Sequence, residues 1–271
     1  MGQALISVAV ALLAWWIGTG VILLAVRRAD RAGGGAQTGL VLAGLPFLVF
    51  GLAGVWAAAN DATLWGLYGG FLAALSLWGW IELSFMSGVI TGPNRAPLPE
   101  GCAGWARLWS AWWAVAWHEL LLLAAFCFVL YASSIAINGM AAWTFGILYA
   151  ARIFAKLNLF LGVPGINLEA VPRSLSHIPS YFRQGDPSWL FPLTIIVLSL
   201  ATALWISRLA ASGSPEEMVT FGLLAALTGL ALIEHWMMLL PMADTKLWRW
   251  LMPPADTLGQ TTQRPTPQEQ G

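Results

Sequence analysis

Long apolar runs separated by short polar or proline-rich stretches dominate the chain. Seven of them, at about 4–26, 40–59, 63–90, 109–137, 140–160, 189–211 and 216–240, reach the roughly 20 residues that a helix needs to cross a bilayer. Lipid offers no hydrogen bonds to an open backbone, so these runs are predicted to be helices, and no alternating barrel pattern competes. The fold class is therefore all-α, a polytopic transmembrane bundle of about seven helices. Asn60-Asp61 and Asn138-Gly139 are turns so short that the second and third helices, and the fourth and fifth, should form antiparallel hairpins.

Composition agrees with the pattern. The chain is 58% hydrophobic and 10% charged, whereas a soluble domain carries about a quarter charged residues. Membrane lipid is the implied surrounding. The zero net charge gives no reason to expect a nucleic-acid partner. Cys102 and Cys127 have no spacing that suggests a disulfide frame or a zinc site.

The basic residues set an expected orientation. Arg27, Arg28 and Arg31 follow the first apolar run and none precedes it, which describes a retained first helix rather than a cleaved signal. Of the 13 Lys and Arg residues, all but Arg208 fall on one side of a seven-span chain. The positive-inside rule then places the N-terminus outside and the C-terminus in the cytoplasm. Residues 1–252 form the expected transmembrane domain, with long proline-punctuated cytoplasmic loops at 91–108 and 161–188. The apolar Ser180-Tyr181-Phe182 in the second loop should pack against helix ends or lie on the membrane surface. Residues 253–271, rich in Pro, Gln and Thr, read as a disordered cytoplasmic tail.

Candidate chemistry lies in the polar residues inside the apolar runs, because a charge in hydrocarbon is costly without a partner. These are Glu82 on the third helix, His118 and Glu119 on the fourth, Arg152, Lys156 and Asn158 on the fifth, and Glu234 and His235 on the seventh. A rise of about 1.5 Å per residue puts Glu82 roughly 12 Å, His118 roughly 14 Å and Glu234 roughly 9 Å from the cytoplasmic ends of their predicted helices. All eight should share the inner half of the membrane and meet. Three readings stay open: an ion-pair network that fixes helix packing, a ligand site in which imidazole meets a haem iron or a chlorophyll-type magnesium, and a catalytic or metal site. The last is weakened because adjacent His-Glu residues point about 100° apart on a helix. No phosphate loop, nucleophile elbow or Cys-x-x-Cys is present, so no catalytic residue is nominated. A proton relay would also need polar stations across the outer half, which holds little beyond Asp61, Asn138, Glu216 and Glu217 at its rim.

Tryptophan is abundant, with 17 residues. Trp105, Trp109, Trp113 and Trp117 recur every fourth residue into the fourth helix and end beside His118; interfacial belt and packing are the simplest roles. Gly18/Gly20 and Gly66/Gly70 suggest close helix approach.

Several stretches carry a family resemblance: Trp15-Trp16 through Thr19-Gly20, Glu82 through Ile90-Thr91-Gly92-Pro93, and His118-Glu119-Leu120. Lys156-Leu157-Asn158-Leu159-Phe160-Leu161-Gly162-Val163-Pro164 is the most specific. Ser180-Tyr181-Phe182 and His235-Trp236 through Leu240-Pro241 to Asp244 and Leu247-Trp248 complete the set. In that order the chain resembles the PuhE family, photosynthetic complex assembly proteins of purple bacteria found beside the gene for the reaction-centre H subunit. The resemblance implies a multi-pass inner-membrane protein, and it carries over no catalytic residue. It would support assembly of reaction-centre and light-harvesting complexes or modulate bacteriochlorophyll supply, with those subunits and pigment as partners. The alternative expectation is a membrane enzyme acting on a lipid or pigment precursor through the His/Glu residues.

Overall fold

The computed structural model describes residues 2–166 and 171–239. The expected tail, the basic residues Lys246, Arg249 and Arg264, and the family-like stretch beyond Leu239 lie outside them.

Among the described residues, seven helical segments are long and apolar enough to cross a membrane. The first is α1, Gly2–Ala32. The second is interrupted: α2, Ala36–Ala43, and α3, Leu45–Ala59, meet at Gly44. Pro46 has no N–H to continue the ladder to the Leu42 carbonyl, and one residue earlier the Val41 carbonyl accepts from Trp80 Nε1 at 3.2 Å. The remaining spans are α4, Leu64–Met86; α5, Gly104–Ser134; α6, Met140–Leu161; α7, Leu190–Ala210; and α8, Pro215–Met237.

Where the bounds depart from the hydropathy pattern, local chemistry explains it. The apolar run 63–90 extends past the end of α4, because Gly88 adopts φ +70° and the N–H groups of Val89 and Ile90 turn back to the Ser84 carbonyl. That left-handed stop is cheap only for glycine. At about 46 Å, α5 exceeds the ~30 Å hydrocarbon core, so it extends beyond the bilayer. The start of α8 is legible: Ser214 Oγ accepts from Glu217 N at 3.2 Å, with Pro215 in the first turn.

Helix α4 is the hub, packed against α1, α2, α3, α5, α6 and α8. Phe71, Leu77, Phe145, Leu122 and Leu223 fill the core between them. Backbones approach closely within the hairpin of α3 and α4. A Cβ on Gly51 would sit 2.7 Å from the Leu77 backbone nitrogen, and one on Gly54 would sit 2.8 Å from Ala73 Cβ. Small residues also let α8 meet α1, where a Cβ on Gly222 would collide with Ser7 Oγ, whereas a Cβ on Gly18 would meet nothing within 4 Å.

Both expected hairpin turns lie on one membrane face, tied together by Asn138. Its side-chain amide donates to Ala58 O at 3.0 Å and to Asp61 O at 2.8 Å, and its backbone N–H donates to Ala59 O. The opposite face carries the long loops, which pack on each other and on helix ends. Tyr181 Oη donates to Ala96 O at 2.9 Å, Leu98 N donates to Ser180 Oγ at 2.8 Å, and Ser174 Oγ donates to Met86 O at 2.8 Å. Asp30, at the end of α1, accepts from Arg173 N, so the first interhelical segment joins the same face.

His177 sits within this loop layer. Burial pushes its imidazole below the usual histidine range, and the Arg95 guanidinium adds to that. The unfolded chain then binds more protons below pH ~6.5, so the contribution of His177 is complete above that value and is lost as pH falls through its lowered folded value. Hydrogen-exchange protection of residues 171–188, taken relative to the intrinsic rate at each pH, should fall on acidification from pH 7 to 5, and His177→Gln should remove most of that fall.

Candidate functional site

Five of the eight candidate residues meet at one point, on α4, α5 and α6. Arg152 Nη2 lies 3.0 Å from Glu82 Oε2, and Lys156 Nζ pairs with Glu119 Oε1. His118 is fully buried, with Nε2 3.7 Å from Glu82 Oε1. Phe85 is the centrepiece. Its ring lies 4.3 Å from the His118 ring, while Arg152 and Lys156 stand 5.7 and 5.8 Å from its centroid.

Helix geometry produces this convergence. Glu82 and Phe85 are three residues apart and Arg152 and Lys156 four, so each pair shares a face. His118 and Glu119 are adjacent, yet both reach the cluster because they face different neighbours: His118 meets Glu82 on α4 and Glu119 meets Lys156 on α6. Two carboxylates then oppose two cations, the usual way such charges are tolerated in hydrocarbon.

The loop after α4 seals one side. The His118 backbone N–H donates to Thr91 O at 2.9 Å, and Asn94 N donates to Trp113 O at 3.1 Å. Non-helical backbone at this level is allowed because it is buried in protein. Gly92 passes so close that a Cβ would collide with the Trp113 and Ala114 carbonyls.

Asn158, Glu234 and His235 do not join, and this corrects the expectation of one eight-residue cluster. Asn158 is two residues past Lys156, about 200° around α6. It therefore faces α7, where its amide donates to Thr194 Oγ1 at 3.2 Å. On α8, Glu234 turns toward α1 and accepts from Trp15 Nε1 at 3.0 Å. His235 is buried with Nδ1 2.7 Å from Ala231 O. A carbonyl only accepts, so the proton is on Nδ1. Thr194 and Phe85 were overlooked in the sequence. Thr194 was findable as a hydroxyl within an apolar run, and Phe85 as the residue one turn beyond Glu82. No sequence signal marks the Thr91 carbonyl.

The site does not fit axial ligation of a tetrapyrrole by His118. One face of its ring is against Phe85, and Nε2 points at Glu82. No group of three or more His, Cys, Asp or Glu among the described residues is placed to hold a metal ion. What remains open is hydrogen bonding: both His118 ring nitrogens and Glu82 Oε1 are buried without a hydrogen-bond partner. Carboxylate and imidazole face each other at a separation that a shared proton or a small contraction would close.

Among the described residues, the surfaces left to lipid are apolar and aromatic. Trp105, Trp109, Trp112 and Trp117 are all exposed along α5. Beside them a shallow, open depression lies between Pro93 and Asn94 and the α5 residues Ala106, Trp109, Ser110 and Trp113.

No solved structure matches the chain. A protein of Rhodobacter capsulatus described as an uncharacterized 30.4 kDa protein in the puhA 5' region is 41% identical over 253 residues, covering 93% of this chain and 92% of its own. Residues 1–258 match the family described as protein of unknown function, DUF3623. The chain therefore belongs to the DUF3623 family.

Proposed function

We propose that this protein is an assembly or regulatory factor for bacterial photosynthetic complexes, of the PuhE type, and that it works without catalysing a reaction. Its bilayer is the inner, or intracytoplasmic photosynthetic, membrane. Its N-terminus is outside and its long loops are cytoplasmic, as the positive-inside rule requires. The observation that carries the reading is the mutual pairing of Glu82 with Arg152 and Glu119 with Lys156 around Phe85. Charges engaged with each other lock three helices into a rigid frame and leave an aromatic exterior for partners. The relative's place in the puhA 5' region supplies the photosynthetic context. Reaction-centre and light-harvesting subunits, or their bacteriochlorophyll, are the partners the exposed tryptophan face of α5 would meet.

A photocrosslinking residue at Trp109 or Trp117 tests this in phototrophic membranes. Capture of reaction-centre or light-harvesting subunits is expected. A colourless preparation with neither class of subunit attached would overturn the reading.

One observation favours the alternative of an enzyme acting on a lipid or pigment precursor. The imidazole of His118 has no hydrogen-bond partner and faces the Glu82 carboxylate, an arrangement suited to acid–base work. His118→Phe separates the two. A frame keeps partner capture at near wild-type levels, whereas an enzyme loses turnover of its substrate while remaining folded.

A further inference from the structure

The ion-pair network accounts for Arg152 and Lys156 but leaves two cations at the adjoining end of α6. Arg107 Nη2 donates to Phe160 O at 2.7 Å and to Tyr181 O at 2.9 Å, with its guanidinium 3.9 Å from the Phe160 ring centroid. Arg183 is tied to the neighbouring residue, its backbone N–H donating to Leu159 O at 2.9 Å. Two arginines are thus anchored to consecutive residues in the last turn of α6. Neither takes part in an ion pair among the described residues.

Helix ends attract cations, and the carbonyls of α6 explain why Arg107 points where it does. A helix C-terminus is equivalent to roughly half an elementary negative charge, however, which is too little for two guanidiniums. The neighbourhood offers no spare anion, because Glu82 and Glu119 are already engaged by Arg152 and Lys156. Lys156 and Arg152 precede Phe160 by one and two turns on the same stripe of α6. Each is the more exposed member of its pair: 22% against 7% for Lys156 and Glu119, and 31% against 13% for Arg152 and Glu82. Exposed Trp105 and Trp109 flank Arg107 on α5 and mark this level as the headgroup layer. The complement to such a place is an anion held within that layer.

We propose that the junction of α5 and α6 on the long-loop face binds the phosphate of an anionic phospholipid, with Arg107 and Arg183 as its ligands. Guanidinium groups suit this role because their planar donors grip phosphate oxygens in pairs. The lipid would fasten the second long loop, through Arg183 and Tyr181, to the ends of α5 and α6. The site is independent of the assembly role and could be present whether or not that reading holds.

The test uses the full-length protein, delipidated in neutral detergent, with thermal stability followed during titration of short-chain phosphatidylglycerol or phosphatidylcholine. Phosphatidylglycerol should raise Tm by several degrees and phosphatidylcholine should not. Arg183→Gln, which removes an exposed guanidinium that is in no ion pair among the described residues, should weaken the phosphatidylglycerol midpoint about tenfold, while Arg208→Gln on the opposite face should leave it unchanged. Native mass spectrometry should show one phosphatidylglycerol retained by the wild type and lost from Arg183→Gln. Equal responses to the two lipids, or a wild-type midpoint in Arg183→Gln, would overturn the proposal. An equal Tm rise with inorganic phosphate alone would also overturn it, because it would indicate a site for free anions.

Discussion

Lys156→Met is expected to cost about 3–5 kcal/mol of stability, because it leaves the Glu119 carboxylate buried without its counter-ion. Glu119 is only 7% exposed, so water cannot take over from the ammonium. Lys156→Met/Glu119→Gln should recover much of the loss, because two matched neutral groups are cheaper to bury than one stranded charge. Denaturant unfolding of the three variants in mixed micelles checks this. A single variant as stable as wild type would show that solvent reaches Glu119 freely.

The second large effect is expected at Gly92. Any side chain there collides with the carbonyls of Trp113 and Ala114. Gly92→Val should cost about 3 kcal/mol or more, from steric overpacking and from the two backbone bonds lost when Thr91 and Asn94 lift away from α5. The signature is local as well as global. The His118 amide, which donates to Thr91 O, should lose its hydrogen-exchange protection, while amides in the α3–α4 hairpin keep theirs until the protein unfolds. Unchanged protection at His118 would contradict the described docking of this loop.

The all-helical, seven-span architecture was legible because hydrophobic length is a direct physical requirement of the bilayer. Both hairpin turns were legible for the same reason, since Asn60-Asp61 and Asn138-Gly139 interrupt otherwise continuous apolar sequence. The end of α4 was missed, because Val89 and Ile90 continue the apolar run and only the backbone of Gly88 reverses the chain. The interruption at Gly44 was missed too, as hydropathy does not register a missing proline N–H.

For the site, depth was readable and direction was not. Glu82, His118, Glu119, Arg152 and Lys156 were drawn to one level by counting residues from helix ends, and they do meet. Asn158, Glu234 and His235 share that level approximately, but their azimuth takes them to α7, to α1 and to the carbonyl of Ala231. Azimuth depends on how each helix is rotated in the bundle, and that is set by contacts such as Gly51 against Leu77, which no single-helix pattern encodes.

The frame formed by α4, α5 and α6 rests on charges that depend on each other across helices. A double-mutant cycle on Glu82 and Arg152, using Glu82→Gln, Arg152→Gln and the combination, measures that dependence directly. A coupling energy of about 1–3 kcal/mol is predicted, with each single variant costing more than its share of the double. Single effects that add to within about 0.5 kcal/mol would mean the two side chains act independently, and the shared frame would not exist.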